Sequence, residues 1–138
     1  MSIDLSFQAL FDYDTLASGI TLPIHIVSGN LVAAFEAKLD TGASHCIFQR
    51  NHAERIGLQV EAGEPFRFST ATGMFSAFAH EITLTVLGIE VFSKVYFAAD
   101  ENFPRNVLGR IGWLDRVQLG LIDYEGKLFL SPYSATIN

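Results

Sequence analysis

Two apolar segments of the chain end in a glycine-containing turn, and this repetition constrains the fold more than any other feature of the sequence. The first segment, AKLDTGASHCIF at residues 37–48, places Asp40-Thr41-Gly42 between two apolar runs. The second, NVLGR at residues 106–110, is again a short apolar strand that ends in glycine. Glycine permits a tight turn and a close approach between neighbouring backbones. The pattern predicts that the Asp40 carboxylate lies at the end of a strand, partly shielded from water and suited to share a proton.

Strand patterns account for most of the chain. The run ITLTV at residues 82–86 alternates apolar and polar side chains, as expected for a strand with one buried face. Two short helices are predicted, over residues 49–58 and 113–116. We predict a long hairpin over residues 65–88 with its tip near Thr72-Gly73, and further strands over residues 20–30, 31–40, 46–48, 89–99, 106–109, 117–124 and 127–131.

The fold class that follows is an almost all-β domain with one or two short helices. Residues 1–18 lack a sustained period and are predicted to be an N-terminal extension that packs on the body, whereas residues 19–138 form the domain. A chain of 138 residues is long enough to bury a modest core unaided. Hydrophobic residues make up 49% of the chain and charged residues 17%, a balance that favours a protomer that hides surface against a copy of itself.

Composition argues against several classes of partner. The net charge of −6 and the absence of a Lys/Arg cluster argue against nucleic acid binding. No apolar run reaches the roughly 18 residues of a membrane span, and Asp4, Asp12 and Asp14 stand where a secretory signal would be basic. The single cysteine, Cys46, cannot form an internal disulfide or a structural zinc site alone, and its apolar context indicates a small buried side chain. We therefore expect a cytoplasmic protein without a metal.

The order of these elements resembles that of the retropepsin-like aspartic proteases, the single-domain proteases of retroviral type. The shared features are an apolar pair before Asp40-Thr41-Gly42-Ala43, a flap hairpin, and the apolar-apolar-glycine strand Val107-Leu108-Gly109. The resemblance covers residues 22–130. It implies a closed β-barrel-like sheet in which Val107-Leu108-Gly109 braces the catalytic loop and Arg110 opens a helix.

The resemblance also implies peptide-bond hydrolysis by a pair of carboxylates. In this family two facing carboxylates share one proton and activate a water, and no metal or organic cofactor is needed. Four apolar residues, Ile47, Phe75, Phe78 and Val107, would belong to the core or line side-chain pockets. The implied catalytic residues are Asp40, Thr41 and Gly42, and the implied substrate-binding residues are Ala43, Ser44, Thr72, Gly73 and Met74.

The second carboxylate of the pair is expected from another copy of the chain. Asp100 lies in a polar loop, Asp115 in a helix-prone stretch and Asp123 near a turn, so none matches the setting of Asp40. The implied assembly is a homodimer with one active site on its two-fold axis and a peptide or protein as substrate. In viral relatives the chain termini interleave in a shared sheet. Residues 128–133 are suited to that role, and the extension over residues 1–18 is equally suited to covering the same edge.

Two departures from the family pattern leave alternatives open. Viral relatives often carry an aspartate after Asp-Thr-Gly-Ala, where this chain has Ser44 and then His45. Ser44 would bond the substrate backbone or Arg110, and His45 either faces the cleft or is a tolerated polar residue at a strand end. Gly73 is the only glycine at the hairpin tip, which favours a second candidate, a catalytically inactive retropepsin-fold module that dimerises and binds peptides. A third is a ligand-binding β-barrel, in which Asp-Thr-Gly is a plain turn.

Overall fold

The computed structural model describes residues 1–133, which are mostly strand. Besides the strands, these residues include one short α-helix and three 3-10 helices, at Val60–Ala62, Leu114–Arg116 and Asp123–Glu125. The strands and the α-helix follow the chain in the order β1 Ala9–Asp12, β2 Thr21–Ser28, β3 Leu31–Leu39, β4 Ile47–Phe48, α1 Arg50–Arg55, β5 Glu64–Thr70, β6 Gly73–Val86, β7 Ile89–Ala98, β8 Val107–Leu108, β9 Val117–Ile122 and β10 Lys127–Pro132.

The larger sheet closes on itself. Its strands follow the order β2-β3-β8-β4-β7-β6-β5, and β2 pairs with β6 as well as with β3. Six strands therefore form a ring, whereas β5 lies outside it and pairs only with β6. The predicted all-β fold is confirmed, although the strands do not make a clean barrel because β5 and a second sheet stand apart from the ring.

Burial follows the alternation of the strands. In β2, Leu22, Ile24 and Ile26 are buried, whereas the intervening Thr21 and Pro23 are exposed. In the run at residues 82–86, Ile82, Leu84 and Val86 are buried in the same core as predicted, although Thr85 between them is buried as well. Each such aliphatic side chain stabilises the fold by about 1.5–3 kcal/mol relative to an exposed position. The largest fully buried side chains include Trp113, which packs under its 3-10 helix as predicted.

The second sheet joins the two ends of the chain. Its order is β1-β10-β9, and Ala9 pairs with Leu130 in an antiparallel register. Strand β1 lies within the segment for which the sequence predicted no element, because a strand of four residues is too short to establish a period. It covers the edge of β10, which therefore has neighbours on both sides and is not free to interleave with another chain.

The two predicted helices are present but shorter than predicted, at Arg50–Arg55 and Leu114–Arg116. Helix α1 ends before Gly57, whose φ of 79° lies in the left-handed region. The expectation that Arg110 opens a helix is wrong, because the first helical residue after β8 is Leu114. Gly112 prevents an earlier start, since its φ of 101° is incompatible with a helix. Within residues 1–133, no helix has the length and apolar character needed to cross a membrane.

Candidate active site

Asp40 stands at the end of β3 in a turn that its own backbone and side chain stabilise. The Asp40 N–H donates to the carbonyl of Leu108 at 3.0 Å, which ties the turn to β8. The Gly42 N–H donates to Asp40 Oδ1 at 2.9 Å, and the Ala43 N–H donates to the Asp40 carbonyl at 3.1 Å. These bonds orient the carboxylate. Within residues 1–133 the Thr41 hydroxyl adds no hydrogen bond to this turn.

Strand β8 braces the loop from below. It inserts between β3 and β4, with Leu39 opposite Leu108 in a parallel register. The contact continues past the strand, because the Arg110 N–H donates to the Ala43 carbonyl at 2.9 Å. A Cβ at Gly109 would lie 2.2 Å from the carbonyl oxygen of His45, so only glycine allows this approach. The bracing that the family resemblance implied is therefore present.

Within residues 1–133, Asp40 is the single carboxylate at this site. Asp40 is exposed, so the shielding expected from its strand-end position is not reached within a protomer. The other three aspartates considered make local bonds elsewhere: Asp100 Oδ1 accepts the Asn102 N–H, Asp115 Oδ1 accepts the Gly112 N–H, and Asp123 Oδ1 accepts the Tyr13 hydroxyl. None of them lines the cavity described next.

A cavity of about 270 Å³ opens beside Asp40. Its floor includes Ala43 and Ser44, two of the predicted substrate-binding residues. From the hairpin, the predicted Thr72, Gly73 and Met74 do not line the cavity, but residues just before and after them do. The loop before β8 contributes Phe103 and Arg105, which the sequence did not indicate. The residues around the cavity are Asp40, Gly42, Ala43, Ser44, Ile47, Phe68, Ser69, Thr70, Phe75, Phe103, Arg105 and Val107.

The hairpin of β5 and β6 extends beyond the rest of the sheet. Strand β6 pairs with β7 only from Ala77 onward. Before that point, residues 73–76 have β5 as their one strand partner. The tip is the predicted one, and the Thr70 hydroxyl donates to the Gly73 carbonyl there at 2.8 Å. A two-stranded ribbon is only marginally stable by itself. The hairpin tip is therefore the part of the site best able to move.

An aromatic cluster supports the base of the hairpin and continues to the site floor. Its members are linked through ring centroids 4.7–5.7 Å apart. His45 belongs to it and does not line the cavity, and burial, with a smaller effect of Lys94, lowers the pKa of its ring. Ser44 bonds His45 Nδ1 at 2.8 Å and not the Arg110 side chain. The cluster consists of His45, Phe66, Phe68, Phe75, Tyr96 and Phe103.

The remaining candidate groups divide between the core and the cavity wall. Of the four apolar pocket candidates, Phe78 packs against the main core, and the other three line the cavity. Cys46 is buried, and burial raises the pKa of its thiol to about 12, so it is an inert side chain at neutral pH. Within residues 1–133, no group of three or more His, Cys, Asp or Glu side chains is arranged to hold a metal ion.

Fold and site together define a class: a closed all-β sheet in which an Asp-Thr-Gly loop is braced by a second glycine-ended strand. The sequence model of a family described as aspartyl protease matches residues 25–122, which include both segments and the hairpin. The chain matches none of the curated proteins with which it was compared. The chain belongs to this aspartyl protease family, of the retropepsin-like clan, and membership supports a general aspartic protease function.

Proposed function

We propose that this protein is a homodimeric aspartic endopeptidase in which Asp40 of each chain contributes one carboxylate to a shared site. The observation that carries the proposal is the placement of Asp40. The Asp40 carboxylate accepts the Gly42 N–H, and the Asp40 backbone N–H is tied to the Leu108 carbonyl. The residue is exposed beside a cavity that, within residues 1–133, no second acidic side chain lines. A fixed, unpaired carboxylate of this kind is suited to meet its counterpart across a two-fold axis.

The chemistry follows from one proton shared between two carboxylates. The ionised carboxylate accepts a proton from water while the protonated one donates a hydrogen bond to the scissile carbonyl oxygen. The water oxygen then bonds to the carbonyl carbon, and the C–N bond breaks as a proton passes to the leaving amine. Both carboxylates are regenerated for the next cycle. The reaction therefore needs no group that the two chains do not supply.

The substrate would lie between the Asp40 loop and the hairpin of β5 and β6. An extended peptide can hydrogen-bond to strand edges on both sides while its alternate side chains enter pockets. Closure of the ribbon at residues 73–76 would exclude water from the reacting groups. Thr72, Gly73 and Met74 would then approach the substrate on closure, whereas Ala43 and Ser44 line the cavity already.

The homodimer is proposed to form through the outer edge of β9. In the order β1-β10-β9 both β1 and β9 are edge strands. Strand β9 is the one that follows the segment bracing Asp40 along the chain. Leu121 and Ile122 of this strand are each 44% exposed. Unpaired edges with apolar side chains readily pair with another chain. Sedimentation should therefore find a dimer, and a protein that cleaves peptides as a strict monomer would contradict the shared site.

The test is cleavage of a peptide library by the wild type and by Asp40→Asn across acidic to neutral pH. The matched control is Asp100→Asn, because in both positions the side-chain oxygen accepts the N–H two residues ahead. We expect the wild type and Asp100→Asn to cleave, and a hydroxyl-bearing peptide isostere to block both. Asp40→Asn should lose cleavage by at least about a hundredfold. Equal behaviour of the wild type and Asp40→Asn would favour the inactive, peptide-binding module.

A further inference from the structure

Arg105 is the one basic side chain among the residues that line the cavity, and the hydrolytic chemistry does not use it. Its guanidinium is exposed. Within residues 1–133 it makes no ion pair or hydrogen bond, unlike Arg50, which bonds Glu61 on both terminal nitrogens. An arginine at a cleft that leaves all its donors free is available to a ligand.

The backbone on both sides of Arg105 is held in place by Gln49. The Gln49 side-chain amide donates to the carbonyl of Phe103 at 3.0 Å. It also accepts from the Asn106 side-chain amide at 3.1 Å, and the Gln49 N–H donates to Asn106 Oδ1 at 2.8 Å. On the far side, the Lys38 N–H donates to the Asn106 carbonyl at 2.9 Å. Arg105 therefore projects from a segment fixed before and after it, which is the arrangement that a binding residue requires.

The cavity that Arg105 lines has apolar as well as polar side chains. Phe103, two residues earlier, packs against Phe75 of the hairpin with ring centroids 5.0 Å apart. These rings, with Ile47 and Val107, make a surface suited to a large apolar side chain. A guanidinium beside such a surface can bind a carboxylate through two parallel hydrogen bonds.

The negative charge of the rest of the protein makes the Arg105 cation more important for selectivity. The chain carries a net charge of −6, and the cavity contains the acidic Asp40. Both features would repel an acidic peptide. A single fixed cation on the cavity wall changes that balance locally, so it discriminates between acidic and neutral ligands more sharply than it would on a basic protein.

We propose that Arg105 makes the site selective for peptides that carry a carboxylate close to a large apolar side chain. The apolar side chain occupies the cavity, and the carboxylate of a neighbouring Glu or Asp pairs with the Arg105 guanidinium. This inference rests on the proposed peptidase function for its substrate, but it is a statement about binding and has its own measurement.

The experiment compares matched peptides that differ only in Glu or Gln. A single Glu is moved along a neutral, N-acetylated and C-amidated peptide centred on Phe-Leu, and a further arm leaves the C-terminus free to separate a terminal carboxylate from a side-chain carboxylate. For the best position, we expect a Glu-to-Gln ratio of kcat/KM of about ten in the wild type. The ratio should fall to about one in Arg105→Gln and below one in Arg105→Glu. Arg67→Gln should keep the wild-type ratio, because strand alternation places Arg67 on the face of β5 opposite Phe68.

The same ratio is measured as binding affinity with labelled peptides and the Asp40→Asn protein. This arm separates the two proposals, because it needs no cleavage. In the Asp40→Asn protein, we expect tighter binding of Glu peptides than of Gln peptides, and we expect an added Arg105→Gln change to abolish this difference. That result supports the role of Arg105 even if the wild type cleaves nothing. Equal affinity for Glu and Gln peptides at every position, or a preference that survives Arg105→Gln, would overturn it.

Discussion

The missing side chain of Gly109 is what allows the Asp40 loop and its brace to touch. An added Cβ would meet the carbonyl oxygen of His45 at 2.2 Å and that of Ala43 at 2.9 Å. Both are backbone atoms, so no side-chain rotation can relieve the overlap. The hydrogen bond from Arg110 to Ala43 lies in the same place and would be strained as the strands separate.

We therefore expect Gly109→Ala to lower the free energy of unfolding by about 3 kcal/mol, the upper range for overpacking. The matched control is Gly19→Ala, where the added Cβ would lie at the same 2.2 Å but from the end of the flexible Lys38 side chain. That side chain can move aside, so the control should change the unfolding free energy by no more than about 0.5 kcal/mol. Urea denaturation of both variants measures the difference, and equal losses would contradict the argument.

Among the elements, helix α1 is attached to β3 through a histidine. The His52 ring is buried and stacks on Phe35 with centroids 3.8 Å apart and planes 5° apart. Arg55 donates to His52 Nδ1 at 3.1 Å, so the ring proton lies on Nε2, which has no partner within residues 1–133. Burial, with a smaller effect of Arg55, lowers the pKa of His52 to about 4. The contact between α1 and β3 therefore depends on a neutral ring.

This predicts a loss of stability in acid. Because the folded-state pKa of His52 lies below its unfolded value, the folded protein binds this proton less readily, and stability falls as the pH drops from about 6.5 to about 4. The full shift corresponds to about 3 kcal/mol. His52→Phe keeps the stacked ring without the titratable nitrogens, so its unfolding free energy should fall less over this range. Urea titrations at several pH values test this, and superimposable pH profiles for the two proteins would contradict it.

How far the elements are predictable from sequence depends on whether their cause is local. The alternation of residues 82–86 and the glycine after α1 are local signals, and both are found in the structure. Strand β1 is not predictable in this way, because its four residues become a strand through their pairing with β10. The 3-10 helix after β8 lies within the predicted residues 113–116. The expectation that Arg110 opens a helix failed because Gly112 adopts a positive φ, and a glycine in sequence does not reveal which conformation it takes.

The residues of the candidate site likewise divide into those with a local sequence signal and those that only the fold brings together. Asp40 and Gly109 were identifiable because each lies in a short motif with its own chemistry. Ser69 and Thr70 reach the cavity because the hairpin folds over the loop, and Arg105 does so because Gln49 holds its segment. These contacts join parts of the chain that are far apart in sequence. Only the fold could bring them together.

At the scale of the whole molecule, one chain provides one carboxylate. The proposed site therefore belongs to the dimer. One subunit without its Asp40 carboxylate should inactivate the whole dimer. This distinguishes a shared site from two independent ones without any knowledge of the substrate.

Mixing the wild type with Asp40→Asn tests this directly. If the two are unfolded together in equal amounts and refolded, random pairing leaves one dimer in four with both carboxylates, so activity should be about one quarter of that of wild type at the same total concentration. Independent sites would retain about one half. A mixture of the wild type with Asp100→Asn should keep nearly full activity, because the Asp100 side chain bonds its own loop.

Because β8 inserts between β3 and β4, the candidate site can be completed only late in folding. Half of the chain lies between Lys38 and Val107, which pair where β8 meets β3. Contacts between such distant segments form late in folding, since the intervening chain must first be ordered. On the ribosome, the Asp40 loop emerges early but has no brace until the segment after Pro104 has left the exit tunnel. The proposed site therefore cannot be assembled until most of the chain has been synthesised.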